Sequence, residues 1–519
     1  MSDRIDPRTP VLVGGAQLTQ RTAREGRVKE SLSPIAMMAA VGKQALADAG
    51  GKLKPGDIDT VAVVRFTADS PGDQGRLPRR LYRNPPRSLA NAIGASPRRA
   101  LLSATGGNSP QWLVNRTAEE IARGECEIAL VAGAEYIASM LGAMKAGVDL
   151  GWGKEADGDP GSDPEEIGDM RAGTTAHERA HGLAFPVNTY PLFENAIRGQ
   201  KKRSPAEHLA WLGRFFAPFS KVAAENPYAW FPTARSPEEI ATASEKNRFV
   251  GFPYTKYLNA VIEVDMAAAV VMMSVSKARA LGIPPSRWVF LHGCGDASDL
   301  WFVSERMNYF SSPAIRTIGQ KSFTMAGIGA GDLSFIDLYS CFPSAVEIAC
   351  RELGIAENDP RGLTVTGGLP YFGGPGNNYV MHSIVTMAEK LRAHPGRFGL
   401  CTANGWYVTK HSCGIYSTKP VEGPWVREDP YGYQKEIDAA PHPQLEEKPE
   451  GKASVETYTV VTDRRGKRFG LVVGRLGNGN RFLAHTPDDD ATLDRMMREE
   501  MLGRAGEVST GEPTNLFRF

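Results

Sequence analysis

The sequence predicts an α/β protein whose mainly parallel sheet is covered by helices on both faces. Short apolar runs of strand length alternate with segments of helical spacing, first over residues 8–133 and again from Asp265. A helix end, a Gly, a short loop, an Asp and an apolar strand also follow one another twice, at Ala45–Val63 and Met325–Ser340. This internal echo suggests two copies of one α/β unit.

The first copy, residues 1–144, begins with a buried strand at Arg8–Gly15. A helix is predicted at Ser33–Ala49, where Ser33 is the expected N-cap and Pro34 the first helical residue. A strand, a helix and a strand follow, at Ile58–Phe66, Trp112–Ala122 and Glu127–Gly133. This order requires crossover connections and therefore parallel strands.

Residues 145–258 interrupt the alternation. They contain an acidic loop rich in Pro and Gly at Gly158–Ile167, and short aromatic-rich helical segments such as Trp211–Phe219. We interpret this region as an inserted loop domain that lies over the first half.

The alternation resumes at Asp265, and residues 259–420 are predicted to form the second half. Its predicted elements are strands at Met266–Ser274, Trp288–His292 and Leu333–Tyr339, and helices at Val275–Leu281 and Ser344–Leu353. Residues 421–452 are rich in Pro, Glu and Lys with little periodicity, which is typical of a linker.

Residues 453–519 are predicted to be a separate, small β-rich domain that forms a barrel. Three short apolar strands are separated by DRRGK and GNGN, which are typical hairpin turns. The strands are Glu456–Thr462, Arg468–Arg475 and Arg481–Thr486, and a helix is predicted at Asp490–Leu502.

Composition excludes several classes of function. The chain of 519 residues has 60 Lys and Arg against 59 Asp and Glu, so a formal charge of +1 gives no electrostatic case for nucleic acid or an anionic membrane. No apolar stretch is long enough to span a bilayer, and the first ten residues lack an apolar signal region. The six cysteines are scattered without CxxC spacing, so neither a disulfide framework nor a metal site is expected. These features favour the cytoplasm.

Four segments resemble the thiolase superfamily when they are taken in order. They are Ile121–Glu135 (IARGECEIALVAGAE), Asp265 with Ala267–Val270, Ala326–Phe342 (AGIGAGDLSFIDLYSCF) and Gly367–Pro375 (GGLPYFGGP). The resemblance covers about residues 8–418, and the whole chain is similar to mycobacterial-type thiolase-like proteins, called acetyl-CoA acetyltransferase, that have an additional C-terminal domain.

The resemblance implies a thiolase fold, which is a duplicated five-layered α-β-α-β-α arrangement with an inserted loop domain. It also implies coenzyme A or an acyl-CoA as substrate or ligand, with no tightly bound cofactor. A homodimer through the thiolase core is an assembly that the resemblance allows.

The family places its catalytic groups on four loops. In the first loop the position of the nucleophilic cysteine falls on Gly107, which cannot be acylated. A shift of one or two residues would place Asn108 or Ser109 there, and Ser109 is the alternative nucleophile. Asn and Ser are the usual caps of a helix, so a turn that caps the helix from Trp112 is the favoured explanation of these residues.

In the second loop Tyr339 takes the position of a family histidine, while Cys341 and Phe342 match the family. Strand ends of this kind form sites in α/β sheets, but a tyrosine there can also simply pack. In the third loop the histidine of Gly-His-Pro falls on Gly374, between Gly373 and Pro375.

In the fourth loop the family's cysteine becomes Asn404, with Cys401 as a shifted candidate. His411 could restore a base, although an isolated loop histidine is more commonly a surface residue. In the insertion, Lys202 and Arg203 could meet the phosphates of coenzyme A, although a basic run is more commonly solvated.

The candidate catalytic residues are therefore Tyr339, Cys341, Asn404 and His411, with Gly107 and Gly374 at non-catalytic positions. The candidate substrate-binding residues are Ser109, Gly373, Gly374, Lys202 and Arg203, and no metal site is expected.

Three functions remain open. The first is a thiolase-like acyltransferase-family protein that binds coenzyme A or acyl-CoA thioesters in fatty-acid or sterol metabolism, without cysteine–histidine thiolase chemistry. The second is a retro-aldolase acting on β-hydroxyacyl-CoA, since thiolase-like retro-aldolases resemble this chain in carrying tyrosines and using a small barrel partner. The third is a non-catalytic acyl-CoA or lipid binding and transfer protein.

Overall fold

A computed structural model of the protein describes residues 5–70, 81–153 and 162–519. The first half of the body contains these elements: β1 (Pro10–Thr19), α1 (Pro34–Ala49), β2 (Thr60–Val63), α2 (Pro85–Ile93), β3 (Arg99–Ser103), α3 (Ser109–Arg123), β4 (Ile128–Tyr136) and α4 (Ile137–Ala146). The predicted cap of α1 is confirmed, because the Ser33 hydroxyl accepts a hydrogen bond from the Ala36 N–H at 3.1 Å.

The insertion contains short strands and five-residue to 21-residue helices. They are β5 (Glu165–Ile167), α5 (Ala176–Ala180), α6 (Pro186–Gln200), α7 (Pro205–Glu225), α8 (Pro237–Ala241), β6 (Phe249–Gly251) and β7 (Tyr254–Thr255). Part of the predicted acidic loop, residues 158–161, lies outside the described residues. Its end forms β5, which pairs with β3 and covers the outer edge of that strand with the exposed Glu165 and Glu166.

The second half repeats the first. Its elements are β8 (Asp265–Ser274), α9 (Val275–Ala280), β9 (Val289–Ser298), α10 (Pro313–Ala326), β10 (Leu333–Asp337), α11 (Pro343–Leu353), α12 (Tyr379–Ala393), β11 (Phe398–Gly405) and β12 (Lys410–Ser417). One boundary requires correction: β8, expected to open the second half, pairs between β1 and β4 and so completes the sheet of the first half.

The strand order demonstrates the duplication. The first half runs β3-β2-β4-β8-β1 and the second runs β10-β11-β12-β9. In both, a parallel pair (β2 with β4, β10 with β11) is followed by two antiparallel pairings. A short pairing of β1 with β9 at Val11 and Leu12 joins the two sheets into one run of ten strands.

Helices α3 and α12 form the central layer, because they contact each other and each contacts strands of both halves. Helices α1 and α2 cover the outer face of the first sheet, and α10, with α11 packed against it, covers the outer face of the second. The expected five-layered thiolase fold is therefore confirmed. Helix α3 follows parallel strand β3, and the turn that precedes α12 contacts β4 and α3, so the N-termini of the two central helices bring the predicted loops together.

The segment expected to be a linker is partly helical. Helix α13 (Pro430–Asp438) packs on the second half through the buried Tyr433, and the indole of Trp425 donates to the Leu291 carbonyl at 2.7 Å. These two aromatic side chains attach to the body a segment whose composition alone had indicated a linker.

The C-terminal domain is a closed barrel, as expected. It contains β13 (Gly451–Thr462), β14 (Arg468–Leu476), β15 (Arg481–His485), α14 (Asp490–Arg498), β16 (Ala505–Ser509) and β17 (Leu516–Arg518). The strands close in the order β13-β14-β15-β17-β16-β13. Strand β13 also pairs with β6 of the insertion at Val461 and Gly251, which attaches the barrel to the body.

Within the described ranges, we find no helix that combines the length and the apolar character needed to cross a membrane.

Candidate active site

The first, second and fourth predicted loops meet at Gly107. This residue precedes α3, while Tyr339 follows β10 and Asn404 lies at the end of β11. A Cβ atom on Gly107 would overlap the Tyr339 hydroxyl and would lie 2.5 Å from the carbonyl oxygen of Asn404. The space that a nucleophilic side chain at position 107 would occupy is therefore taken by the hydroxyl of Tyr339.

Tyr339 is held rigidly and is 8% exposed. Its N–H donates to the Thr402 hydroxyl at 2.8 Å, and its ring packs edge-on against Tyr379 with centroids 5.6 Å apart. Burial raises the pKa of Tyr339 well above its ordinary value of 10, and the neighbouring Cys341 and Tyr379 add to this. No hydrogen-bond partner of its hydroxyl is found among the described residues. The phenol is therefore a neutral donor that is free to bind a ligand.

Asn404 is held by a tyrosine that the sequence analysis did not identify. Its amide Nδ2 donates to the Tyr190 hydroxyl of α6 at 3.0 Å, and that hydroxyl donates to the Trp406 carbonyl at 3.0 Å. Tyr190 also accepts from the Val408 N–H at 3.3 Å and stacks on Phe342. The insertion thus contributes a residue directly to the fourth loop. The sequence did not reveal this contact, because Tyr190 lies among several aromatic residues of one helix and nothing local distinguishes it.

The turn between β11 and β12 is strained. Trp406 and Val408 have φ values of 58° and 57°, in the left-handed region that a β-branched residue rarely adopts. The buried guanidinium of Arg306 donates to the Val408 carbonyl at 2.6 Å and to the Tyr407 carbonyl at 3.1 Å. Arg481 of the barrel in turn donates to the Ser304 carbonyl at 3.0 Å and to the Arg306 carbonyl. The barrel is therefore linked to the fourth loop through two arginines.

The third loop reaches the first through an asparagine instead of a histidine. Gly374 donates its N–H to the Val261 carbonyl at 2.8 Å, and Gly373 has a φ of 112°, so neither offers a reactive group. Asn377 Oδ1 accepts from the Gly106 N–H at 3.0 Å, and its Nδ2 donates to the Arg65 carbonyl at 2.8 Å.

A buried glutamate holds that third loop. Glu135, at the end of β4, accepts hydrogen bonds from the N–H groups of Thr67 at 2.9 Å and Asn377 at 3.2 Å. Burial raises the pKa of Glu135 to about 7, although these hydrogen bonds oppose the shift. The protonation state of Glu135 therefore changes near neutral pH.

The cysteines are not activated nucleophiles. Burial raises the pKa of Cys341 to about 12, and the thiol lies beside the Tyr190 hydroxyl. Cys401, the shifted candidate, is fully buried and its pKa is also raised well above 9. A thiol in such surroundings stays protonated and is a poor nucleophile. The candidate role of Cys341 in catalysis is therefore not supported by its geometry.

Ser109 is the first residue of α3 and not a poised nucleophile. It is 3% exposed and its hydroxyl donates to the Ala104 carbonyl at 2.8 Å. In the described part of the chain we see no base beside it. Asn108 precedes it as the cap position, although its side chain makes no capping hydrogen bond.

His411 lies on β12 and is 2% exposed, so the expectation of a surface histidine is wrong. It pairs across the hairpin with Asn404, and its Nε2 lies 3.2 Å from Asp299 Oδ2. Asp299 also accepts from the Ala314 N–H at the start of α10 at 3.0 Å. His411 thus lies within ion-pair distance of a buried carboxylate, although its Nε2 makes no hydrogen bond within the described residues.

His411, Tyr339 and Asn404 share one small cavity of about 20 Å³, whose other walls come from α10 and α11. A volume of this size holds about one water molecule. Any larger ligand must therefore displace side chains or approach Tyr339 from the Gly107 side.

Lys202 and Arg203 lie at the junction of α6 and α7. Lys202 is exposed with a φ of 53°, and the Arg203 guanidinium lies 4.2 Å from the Trp211 ring centre. Their neighbour Lys201 is already neutralised, because its ammonium lies 2.6 Å from Glu347 and also pairs with Glu357. Among the described residues neither Lys202 nor Arg203 pairs with a carboxylate, so these are the cations of the run that are available to a phosphate.

One described group of side chains could geometrically hold a metal. Ligand atoms of Glu194, His208 and Glu347 lie within 4.8 Å of one another. However, Lys201 already brings a positive charge to Glu347, and the Tyr254 hydroxyl donates to Glu194 at 2.5 Å. Burial raises the pKa of both glutamates, which favours a shared proton over a divalent cation.

Lys410 is the main site residue that sequence reasoning missed. It is the first residue of β12, is 6% exposed, and its ammonium donates to the Thr105 carbonyl in the first loop. Every residue of β12 is buried, because this strand is central and covered on both faces. The sequence feature that could have identified Lys410 is a lysine within a strand that has no solvent-exposed face.

Three buried side-chain oxygens around Gly107 lack hydrogen-bond partners within the described ranges. They belong to Thr105, Asn108 and Asn404. Buried polar atoms are nearly always paired in folded proteins, so a cluster of unpaired oxygens beside a free phenol indicates a place for a polar ligand or water.

Known proteins resemble this chain in sequence and in fold. Residues 433–512 match the thiolase-like protein type 1 additional C-terminal domain. A crystal structure of a monomeric SCP2-thiolase-like protein type 1 from Mycobacterium smegmatis is 37% identical, covers 99% of this chain and 100% of its own, and superposes with a TM-score of 0.84. The chain belongs to the thiolase-like proteins of type 1. The mycobacterial member of this family is described as monomeric.

More distant relatives share the fold only. A structure described as the Ltp2-ChsH2(DUF35) aldolase is 19% identical, covers 79% of this chain and 98% of its own, and has a TM-score of 0.57. An acetyl-CoA acetyltransferase from Syntrophomonas wolfei is 17% identical over 79% of this chain and 99% of its own, with a TM-score of 0.53.

A curated 3-ketoacyl-CoA thiolase from Yersinia pestis is 31% identical over 153 residues, which are 27% of this chain. The match spans 33% of the length of that curated relative.

Proposed function

We propose that the protein binds an acyl-CoA thioester at the loops around Gly107 and acts on it without forming an acyl-enzyme. The observation that carries this proposal is the overlap of the Tyr339 hydroxyl with the Cβ position of Gly107. The family's covalent nucleophile is replaced by a hydrogen-bond donor, and none of the cysteines on the loops has a lowered pKa.

Tyr339 is suited to bind the carbonyl oxygen of a thioester. Its hydroxyl is neutral because burial raises its pKa, and it is not used by the protein itself. A fixed donor in a buried site stabilises the negative charge that develops on a carbonyl oxygen when an enolate forms. The unpaired oxygens of Asn108 and Asn404 can accept from the amide or hydroxyl groups of the same ligand.

The test combines binding with a search for a covalent adduct. Purified protein is titrated with acetyl-CoA and a long-chain acyl-CoA by calorimetry, and the mixture is then measured by intact mass spectrometry. We expect saturable binding with no acyl adduct and negligible acetoacetyl-CoA thiolysis. An adduct on any side chain, or thiolysis at an ordinary thiolase rate, contradicts the proposal.

Retro-aldol cleavage of a β-hydroxyacyl-CoA is a second candidate, and Tyr339 favours it specifically. This reaction needs a donor for the thioester enolate and a group to take the hydroxyl proton, but no covalent nucleophile. One protein of similar fold is described as an aldolase, but at 19% identity it is a guide to fold only.

A panel of β-hydroxyacyl-CoA substrates tests the second candidate. Release of an aldehyde or ketone together with a shortened acyl-CoA would support it, and Tyr339→Phe should then lower the turnover number strongly. Binding without turnover across the panel would support a binding and transfer protein instead.

A further inference from the structure

We propose that Lys410 is a reactive amine that captures the carbonyl carbon of a small aldehyde or ketone as an imine. The inference goes beyond the proposed function, because it assigns a covalent partner of another chemical class to the same loops.

The geometry places the amine beside the missing nucleophile. Lys410 Nζ would lie 3.0 Å from a Cβ on Gly106, the residue before Gly107. Its hydrogen bond to the Thr105 carbonyl fixes the side chain at the N-terminal end of α3. The amine of Lys410 and the hydroxyl of Tyr339 therefore flank two consecutive glycines.

Lys410 has no carboxylate within ion-pair distance among the described residues. The charged groups that face it are Asp169, whose charge favours the ammonium, and Arg171, whose charge opposes it. The positive end of the α3 dipole also disfavours the ammonium. Burial is the largest effect and lowers the pKa of Lys410 to about 8, so a substantial neutral fraction exists near physiological pH.

Two aromatic rings lie near the amine of Lys410. The rings of Trp301 and Trp406 each lie 5.9 Å from Nζ. Arg171 stacks on Trp301 at 3.9 Å, and Lys410 itself is only 6% exposed, so the amine is largely shielded from solvent. An apolar wall around a neutral amine favours an uncharged carbonyl compound over a charged one.

The reaction balances without a co-reactant. The neutral Nζ attacks the carbonyl carbon and forms a carbinolamine. Loss of the former carbonyl oxygen with both amine protons, as water, leaves a carbon–nitrogen double bond. The Tyr339 hydroxyl is placed on the neighbouring glycine, where it can hydrogen-bond to the departing oxygen.

Reductive alkylation of the intact protein tests the proposal directly. Protein is treated at pH 7 with limiting formaldehyde and cyanoborohydride, and the modified lysines are located by peptide mass spectrometry. A lysine with a pKa of about 8 has a roughly two-hundredfold larger neutral fraction at pH 7 than an ordinary lysine. We expect Lys410 to be modified at least about tenfold faster than the exposed Lys43 of α1, because partial burial reduces the full advantage.

The pH profile supplies a second readout. The labelling rate of Lys410 should rise with a midpoint near pH 8, while that of Lys43 rises at a higher pH. Lys410→Arg should remove the fast phase and leave the rest of the labelling pattern unchanged. Labelling of Lys43 with Lys410 unmodified would overturn the proposal. Acyl-CoA binding, measured separately, does not depend on this outcome.

Discussion

Gly107 and Tyr339 lie on different halves of the duplicated body, yet they share one volume: the hydroxyl of the tyrosine lies where a side chain at the glycine would begin. A residue larger than glycine at 107 and a tyrosine at 339 therefore exclude each other. The two departures from the thiolase family are therefore structurally coupled: a cysteine at 107 cannot be accommodated while Tyr339 keeps its present position.

Gly107→Cys should destabilise the protein by about 1–3 kcal/mol, because the new side chain overlaps Tyr339 and the Asn404 carbonyl. In a Tyr339→Ala background the same change should cost about 1 kcal/mol less, since one of the two clashes is gone. A double-mutant cycle by urea denaturation measures the coupling. Gly331→Cys is the control, because a Cβ there meets no atom within 4 Å. Additive effects would show that the two positions do not share space.

Glu135→Gln tests the raised pKa beside the third loop. The carboxyl has a folded-state pKa of about 7 against an ordinary value of 4.5. Its protonated form therefore favours folding, and this contribution is complete below about pH 4.5 and is lost as pH rises to about 7. The wild type should lose on the order of 3 kcal/mol relative to the variant across that window.

The Glu135 measurement is urea denaturation of both proteins between pH 4.5 and 8. Glutamine keeps the acceptor Oε1, and its amide replaces the Oε2 that has no partner within the described ranges. The exposed Glu225→Gln serves as the control. A difference between wild type and Glu135→Gln that does not change with pH would be incompatible with a buried, titrating carboxyl.

Arg481→Met tests whether the barrel supports the fourth loop. This fully buried guanidinium pairs with Glu456 at 2.7 Å and reaches the segment that holds Arg306. Its loss should destabilise the protein by about 1–3 kcal/mol, because the Ser304 and Arg306 carbonyls lose a buried donor while Glu456 keeps Arg475 as a partner. Hydrogen exchange should also become faster at residues 405–410.

Arg475→Met is a matched control for Arg481, because Arg475 also pairs with Glu456 at 2.7 Å but contacts only the barrel. We expect it to leave exchange at residues 405–410 unchanged. Equal rates of hydrogen exchange at residues 405–410 in the two variants would show that Arg481 does not support the fourth loop.

Lys202→Ala combined with Arg203→Ala should weaken coenzyme A binding several-fold, because these are the two cations of the basic run that are not paired with carboxylates. Calorimetry at about 0.05 M and 0.5 M salt should show a smaller salt dependence for the variant than for wild type. Lys43→Ala is the control on a distant helix. An unchanged affinity of the double variant for coenzyme A would show that the phosphates do not bind at Lys202 and Arg203.

The fold was largely predictable because its determinants are local. Ser33 and Pro34 marked the start of α1, and the apolar runs of β4 and β8 have no solvent face. The motif repeated at Ala45–Val63 and Met325–Ser340 predicted the duplication that the strand order shows. Assigning β8 to the first half required pairing between distant strands, which no local pattern contains.

The site was predictable only where a family position could be counted along the chain. Counting placed Gly107 and Asn404 correctly beside Tyr339. Lys410, Tyr190 and Arg306 reach the loops from a strand, an inserted helix and a distant segment, so only the tertiary structure reveals them. His411 was misjudged because a charged or polar residue near a hairpin is usually exposed, whereas β12 is covered on both faces.

The central claim is that the Tyr339 hydroxyl binds a thioester carbonyl without covalent acyl transfer. Calorimetry with two matched ligands isolates that contact: acetyl-CoA, and S-ethyl-CoA, a thioether that lacks the carbonyl. Tyr339→Phe removes only the hydroxyl, so it should weaken acetyl-CoA binding about five- to tenfold, equivalent to about 1–1.4 kcal/mol for one hydrogen bond. Binding of S-ethyl-CoA should be unchanged. An equal loss for both ligands, or no loss for either, would contradict the account.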